Sequence, residues 1–418
     1  MTAGIIEARS VRRGFGTVAA VVALTAGFVS AAPAALAADA QSNQWYLEAM
    51  NAEEIWKTST GKGITVAVID TGVDPSVPSL KGQVLKGKDV AEAKGDETDD
   101  YSGHGTTMAE LIVGTGAGGG LKGLAPGAKV IPYRVSDTEL QNNEKVNAFD
   151  QEEAIRAAAD SEARIINMSF GSEYYTSAVR EAVKYAQSKG KLLFSSSGNL
   201  GESSNKASYP AAYPEAIAVA ATDRNGQVAD YSSHGDFVDI AAPGGDIPGY
   251  CNAKLSDYCP KGGTSAASAI ASASAALIWS AHPDWTANQV LRVMFESAGR
   301  GEDWKEGTVS NYLGHGIVRP GAHINRGVGK PGDPGISPLT NTKVGGGTAG
   351  GDSSSASSAP SAPASSQAPK GGAESDAVVT GSSKSTDDGG QLGLIIGIGA
   401  AVVIAVGAFA VIRKRRSA

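Results

Sequence analysis

Three residues with the chemistry of acyl transfer stand, in the order Asp, His, Ser, at places in the 418-residue chain where folding would expose them. Asp70 ends the apolar run Val66-Ala67-Val68-Ile69 and is followed by Thr71-Gly72. A carboxylate delivered there is costly to bury unless it has a partner. His104 lies in Gly103-His104-Gly105-Thr106, just ahead of the apolar stretch Met108 to Val113. Ser265 lies in Gly262-Gly263-Thr264-Ser265, ahead of a helical stretch from Ala266 to Trp279. A helix start turns free N–H groups and the positive end of its dipole toward such a hydroxyl. Serine attacks a carbonyl only when a base takes its proton, and the base needs a carboxylate to fix its tautomer and stabilise its charge. Singly, the serine would read as a helix cap and the aspartate as a turn former.

For these residues to meet, the chain between Trp45 and Arg326 must bring distant segments to one edge. It alternates: an apolar strand from Ile64 to Asp70, a helix over Asp150 to Ala163, and a strand from Ile165 to Phe170. A helix over Ser177 to Ser188 and strands at Leu192 to Ser196 and Ala216 to Ala221 follow. Continuous apolar strands between helices predict a parallel sheet covered on both faces, an α/β fold. Ligands of such sheets bind at the carboxyl ends of strands, where Asp70 falls.

In its three motifs the chain resembles the subtilase family of serine peptidases. They are Val68-Ile69-Asp70-Thr71-Gly72-Val73, Gly103-His104-Gly105-Thr106 and Gly263-Thr264-Ser265-Ala266-Ala267-Ser268, in the chain order of subtilisin. The resemblance spans residues 45 to 326 and implies a subtilisin-like, mostly parallel sheet with helices on both faces. It implies Ser265 as nucleophile, His104 as base and then acid, and Asp70 as the carboxylate that orients His104. It also implies that Asn199, in Ser197-Gly198-Asn199, joins the Ser265 N–H in receiving the oxyanion. By the same likeness Ser169, Phe170, Gly171, Ser197 and Gly198 wall the main specificity pocket, with Ser208 near its floor. None of these residues is charged, so the expected P1 side chain is uncharged.

The chain departs from the family at several places. Ala269 stands where proline is usual, Ala273 where glycine is, and Thr107-Met108 replace the commoner His-Val. Gly114 to Gly123 is short and glycine-rich, without the asparagine-bearing calcium loop of secreted subtilisins. No metal and no cofactor are expected. His234, His282, His315 and His323 read as loop or helix-end residues with no second metal ligand nearby.

The two ends speak of location. Arg9, Arg12 and Arg13, the apolar run Val18 to Val29 and the triplet Ala35-Leu36-Ala37 read as a secretory signal over 1–37. Residues 38–60 read as an N-terminal extension and 61–327 as the peptidase domain. Residues 331 to 390 hold 12 Gly, 13 Ser and 6 Pro and no aromatic residue, too little apolar surface to fold. The span 328–391 is accordingly read as a disordered linker. The uncharged stretch 392–412 matches a bilayer core in length, and Arg413, Lys414, Arg415 and Arg416 follow at once. It reads as a transmembrane helix with the basic tail 413–418 in the cytosol and the peptidase domain outside.

Net charge is −7, with +2 in residues 1–16 and +4 in the tail, which leaves −13 for residues 17–412. So acidic a domain argues against nucleic acid as a partner, since neutralising phosphates takes clustered Lys and Arg. The two cysteines, Cys251 and Cys259, would be expected to pair outside the cell, the alternative being two free buried thiols. A short N-terminal segment, a Ser/Pro/Gly tether and a basic-flanked anchor together look like the mycosins, membrane-anchored subtilases of actinobacterial type VII secretion systems. That likeness implies a membrane-bound enzyme acting on polypeptide substrates beside a secretion complex. The rival is a structural subunit of that complex whose peptidase is vestigial.

Overall fold

The computed structural model describes residues 40–136, 150–302, 304–305 and 307–344. The signal segment, the membrane span, the basic tail and most of the linker expected from the sequence lie outside these residues.

Seven strands form the central sheet: β1 (Thr65–Asp70), β2 (Lys88–Asp89), β3 (Lys129–Arg134), β4 (Ile165–Met168), β5 (Leu192–Ser196), β6 (Ile217–Thr222) and β7 (Ile240–Pro243). Their order is β2-β3-β1-β4-β5-β6-β7, and every neighbouring pair is parallel. The chain winds to one side of β1 through β2 and β3, then to the other from β4 onward. The carboxyl end of β1 is therefore the switch point where α/β sheets open a crevice, and its last residue is Asp70.

Alternate residues of β1 face opposite layers. Val66 and Val68 pack with α3 (His104–Val113) and α6 (Thr264–Ala281), introduced here with the other helices: α1 (Trp45–Ala49), α2 (Ala52–Trp56), α4 (Asp150–Asp160), α5 (Ser177–Ser188), α7 (Ala287–Ser297) and α8 (Pro320–Ile324). Ala67 and Ile69 pack with α4 and α5 on the other side. α6 is long and apolar enough to cross a membrane, yet 83% of it is buried inside this domain, so it is a core helix. Its small residues let it lie close to β4 through β7, and its buried Ser268 and Ser272 both donate to Asn167 Oδ1 on β4, at 2.9 and 3.2 Å. An antiparallel hairpin, β8 (Gly245–Tyr250) and β9 (Tyr258–Gly262), runs directly into α6. Its loop is closed by the Cys251–Cys259 disulfide, Cα to Cα 5.2 Å.

The N-terminal extension is part of the domain. Tyr46 and Ile55 have no exposed surface. Gln44 exchanges two 2.8 Å hydrogen bonds with the Lys122 main chain, and Gln41 Nε2 donates at 2.7 Å to the carbonyls of Gly116 and Gly120. The glycine-rich segment 114–123 is thus held by two glutamine side chains.

The start of the linker needs correcting. Residues 328–344 are not free: Asn288 Nδ2 donates to the Pro334 carbonyl at 2.9 Å, the Lys330 N–H donates to Glu296 at 2.7 Å, and Ser337 is buried. Composition misled because Ile336 and Leu339 are few but sit where α7 can cover them. This segment lines a cavity of about 260 Å³ with Arg164, Leu192 and Trp285, at the amino ends of β4 and β5.

Candidate active site

Asp70 leaves β1 with its side chain 3% exposed. Its Oδ1 accepts the Thr71 N–H at 2.8 Å and lies 2.7 Å from His104 Nδ1, while Oδ2 is buried with no partner. His104 is thus the single side chain hydrogen-bonded to this carboxylate among the described residues. Gly105 makes the approach possible: a β-carbon there would sit 2.1 Å from the Gly72 carbonyl oxygen and 3.0 Å from Asp70 Cβ.

Thr71 and Asp100 tie α3 to the end of β1. The Thr71 hydroxyl accepts the Gly105 N–H at 3.0 Å and donates to Asp100 Oδ1 at 2.7 Å. Asp100, itself buried, also accepts the N–H groups of Ser102, Gly103 and Thr106 and the Thr106 hydroxyl, at 2.6 to 3.1 Å. The free N–H groups that open the helix are thereby shared out: Asp100 takes those of Gly103 and Thr106, Ser102 Oγ that of His104 and the Thr71 hydroxyl that of Gly105. Burial alone lowers the imidazole pKa of His104, but the charge and hydrogen bond of Asp70, helped by Asp100, outweigh it and leave the pKa above its ordinary value. Asp100 escaped sequence reasoning, though an acid four residues before a glycine-flanked histidine at a helix start was the available signal.

Ser265 is the second residue of α6. Its Oγ donates to the Ser169 carbonyl at 3.2 Å and is not hydrogen-bonded to His104. Such contacts often tighten only when substrate is present. Asn199 follows β5, and its Oδ1 accepts both the N–H and the hydroxyl of Thr264, at 3.0 and 2.9 Å. With Oδ1 so engaged, Nδ2 is the free end of the amide. A β-carbon on Gly263 would lie 3.5 Å from Asn199 Nδ2 and 3.8 Å from the Ser265 nitrogen. Glycine therefore leaves open a gap bordered by two N–H donors beside the Ser265 hydroxyl, where a carbonyl oxygen could gather charge.

The other residues expected at the site also converge. Ser169, Phe170 and Gly171 follow β4; Ser197 and Gly198 follow β5. Ser208 packs against both glycines: a β-carbon would meet Ser208 Oγ at 2.1 Å from Gly171 and Ser208 Cβ at 3.2 Å from Gly198. The hydroxymethyl group therefore occupies the space between these two walls.

Comparison with known proteins fits this geometry. A model of the subtilase family matches residues 61–316. The chain is 33% identical to thermitase of Thermoactinomyces vulgaris over 277 residues, 65% of this chain and 95% of thermitase. It is 34% identical to a thermophilic serine proteinase of Bacillus sp. (strain AK1), covering 62% of this chain and 63% of that protein. Among solved structures it is similar to the MycP3 protease from the type VII (ESX-3) secretion system, with TM-score 0.55 and 30% identity over 67% of this chain and 88% of the other. It is also similar to MycP1 from Mycobacterium smegmatis, with TM-score 0.56 and 25% identity over 69% and 86%. The family model matches well over half of the chain and the similar solved folds are those of MycP proteases, so the chain belongs to the subtilase family in a mycosin-like form.

Proposed function

We propose that the protein is a serine endopeptidase in which Ser265, His104 and Asp70 act as nucleophile, general base and orienting carboxylate. The observation that carries this reading is the 2.7 Å contact of His104 Nδ1 with Asp70, which fixes the tautomer with Nε2 free to accept a proton. When a peptide carbonyl enters, Ser265 Oγ leaves the Ser169 carbonyl, gives its proton to His104 Nε2 and bonds to the carbonyl carbon. The oxygen then takes up charge in the gap above Gly263, receiving the Ser265 N–H and Asn199 Nδ2. His104 returns the proton to the leaving amine, and water repeats the cycle on the acyl enzyme. The Ser208 side chain between Gly171 and Gly198 supports a small, uncharged P1 residue.

The signal-like start, the apolar stretch 392–412 and the basic tail support an extracytoplasmic enzyme on a single-pass anchor. Likeness to proteases of type VII secretion systems supports work beside such a complex.

A fluorophosphonate probe tests the chemistry: it should label the full chain, and Ser265→Ala should abolish labelling and lower kcat by about 10⁶, the loss known for the nucleophile of subtilisin. Equal labelling of both proteins would remove Ser265 from the role. Deleting residues 392–418 should release active enzyme from membranes and impair export, whereas Ser265→Ala should leave export intact and its protein substrates uncut.

A further inference from the structure

The hairpin β8–β9 enters Gly263-Thr264-Ser265 at one end, and its other end is seated on α3, the helix that opens with His104. Thr107 Oγ1 accepts the Tyr250 N–H at 3.0 Å and donates to the Gly103 carbonyl at 2.7 Å. Gly249 lies flat on Thr107, where a β-carbon would come within 2.9 Å of Thr107 Cγ2. The disulfide-closed loop covers Gly103, whose missing β-carbon would meet the Asn252 carbonyl oxygen at 2.7 Å and Leu255 Cδ2 at 3.1 Å.

Three residues on, and so on the same face of α3, stands Glu110 with no exposed surface. The Tyr258 hydroxyl lies 2.9 and 2.8 Å from its two carboxyl oxygens and 2.8 Å from the Tyr250 hydroxyl. The two tyrosine rings stack with centroids 4.4 Å apart, and the Ser79 hydroxyl bonds the same carboxyl group. Burying a carboxyl group is expensive, and a helix packed in a core gains nothing from it that an apolar residue would not supply. Burial pushes this carboxyl up to about 7 even against the hydrogen bonds it accepts. What Glu110 obtains in return is a fixed grip on the hairpin. Neither Thr107 nor Glu110 is hydrogen-bonded to Asp70, His104 or Ser265.

We propose that Thr107 and Glu110 are positioning residues that clamp the hairpin to α3 and so set the placement of Ser265 relative to His104, with the Cys251–Cys259 bridge keeping the clamped end from fraying. The inference rests on the peptidase reading above. The hairpin is a strut between the helix of the base and the helix of the nucleophile. A displacement of about 1 Å between reacting groups costs on the order of 100-fold in rate. Loosening the strut should therefore slow acylation without weakening substrate binding.

The test compares the full-length chain with Glu110→Gln, Thr107→Val and Tyr258→Phe, the last removing a single hydroxyl in case the others fold poorly. Two readouts are taken from each: kcat and KM on a peptide, and hydrogen exchange at the Tyr250 amide. We expect kcat and fluorophosphonate labelling to fall about 10- to 100-fold with KM within about twofold. We expect Tyr250 exchange to quicken at least about tenfold. Replacing both cysteines by serine in Glu110→Gln should cost less than the product of the separate losses, because both changes loosen one strut. Unchanged kcat in folded Glu110→Gln and Tyr258→Phe overturns the inference, as do losses that multiply independently. Wild-type protein that neither labels nor cleaves sinks the peptidase reading instead. Tyr250 exchange then still decides the clamp: unchanged exchange in the variants overturns it whatever the catalysis.

Discussion

Asn199 Oδ1 takes both hydrogens that Thr264 can offer, its N–H at 3.0 Å and its hydroxyl at 2.9 Å. Because amide orientation follows from hydrogen-bonding partners, this contact commits Oδ1 to Thr264 and leaves Nδ2, the nearer end at 3.5 Å from a Gly263 β-carbon, as the amide group with hydrogens to offer at the gap. The residue just before Ser265 thus orients the side chain proposed to receive the oxyanion.

Asn199→Ala should lower kcat by about 10²–10³ with KM little changed, the size of loss found when the side-chain oxyanion donor of subtilisin is removed. Thr264→Val keeps the N–H contact and loses the hydroxyl one. One neutral hydrogen bond is worth about 1 kcal/mol, so a loss of about fivefold in kcat is expected. Steady-state kinetics on one peptide check both, and an unaltered kcat in Asn199→Ala would free that residue from the role.

The raised pKa of His104 predicts that kcat/KM climbs with pH through a value above the ordinary imidazole figure of about 6.5. Asp70→Asn should move that rise to lower pH and cut kcat by about 10⁴, as for the corresponding change in trypsin-like enzymes. The stability effect has the opposite sign. A group whose folded pKa lies above its unfolded one stabilises the fold below the unfolded value, and that contribution disappears as pH rises through the folded one. Wild type should therefore exceed His104→Gln in Tm by more at pH 5 than at pH 8. Comparing the two proteins cancels Glu110 and Asp239, whose carboxyls burial also pushes up to about 7.

Ser208→Gly should deepen the space between Gly171 and Gly198. A peptide series differing only in P1 is the measure. Wild type should favour alanine-sized residues, and the variant should gain about tenfold or more on larger apolar ones, in line with the worth of one or two methylenes in a pocket. A wild type that already prefers large P1 residues would show that substrate does not enter between these walls.

Gln44→Ala should lower the Tm measurably, because it removes both Gln44 hydrogen bonds to the Lys122 main chain and leaves the carbonyl only the long 3.5 Å contact with the Tyr46 hydroxyl, a loss of about 2 kcal/mol for two broken contacts. Excess chelator should leave the Tm of wild type where it was. Thermal melts with and without chelator check both statements, and a drop on chelation would mean that a cation and not the glutamines secures segment 114–123.

The strand-and-helix alternation was legible where local pattern and burial agree: β1, β4, β5 and α5 lie within a residue or two of what apolar runs alone suggest. β3 was not, because Pro132 sits inside it, and proline argues against an inner strand. Its other neighbour, β2, pairs only with Tyr133 and Arg134, so no β2 partner calls on the N–H that Pro132 lacks. The motifs around Asp70, His104 and Ser265 could be read because each is compact in sequence. Thr264 and Glu110 act through partners tens of residues away, Tyr258 being 148 residues from Glu110, and no local pattern announces such a bond.

Val344 sits beside Arg164 and Leu192, where β4 and β5 begin, whereas Asp70, Ser169 and Ser197 stand where strands end. The chain beyond Val344 thus starts from the rear of the sheet. Force transmitted along it would fall first on α7 and its contacts with Pro334, and only afterwards on any element that bears a reacting group. The strand ends that carry Asp70, Ser169 and Ser197 lie at the opposite edge of the sheet from that exit, so a pull on it reaches them last.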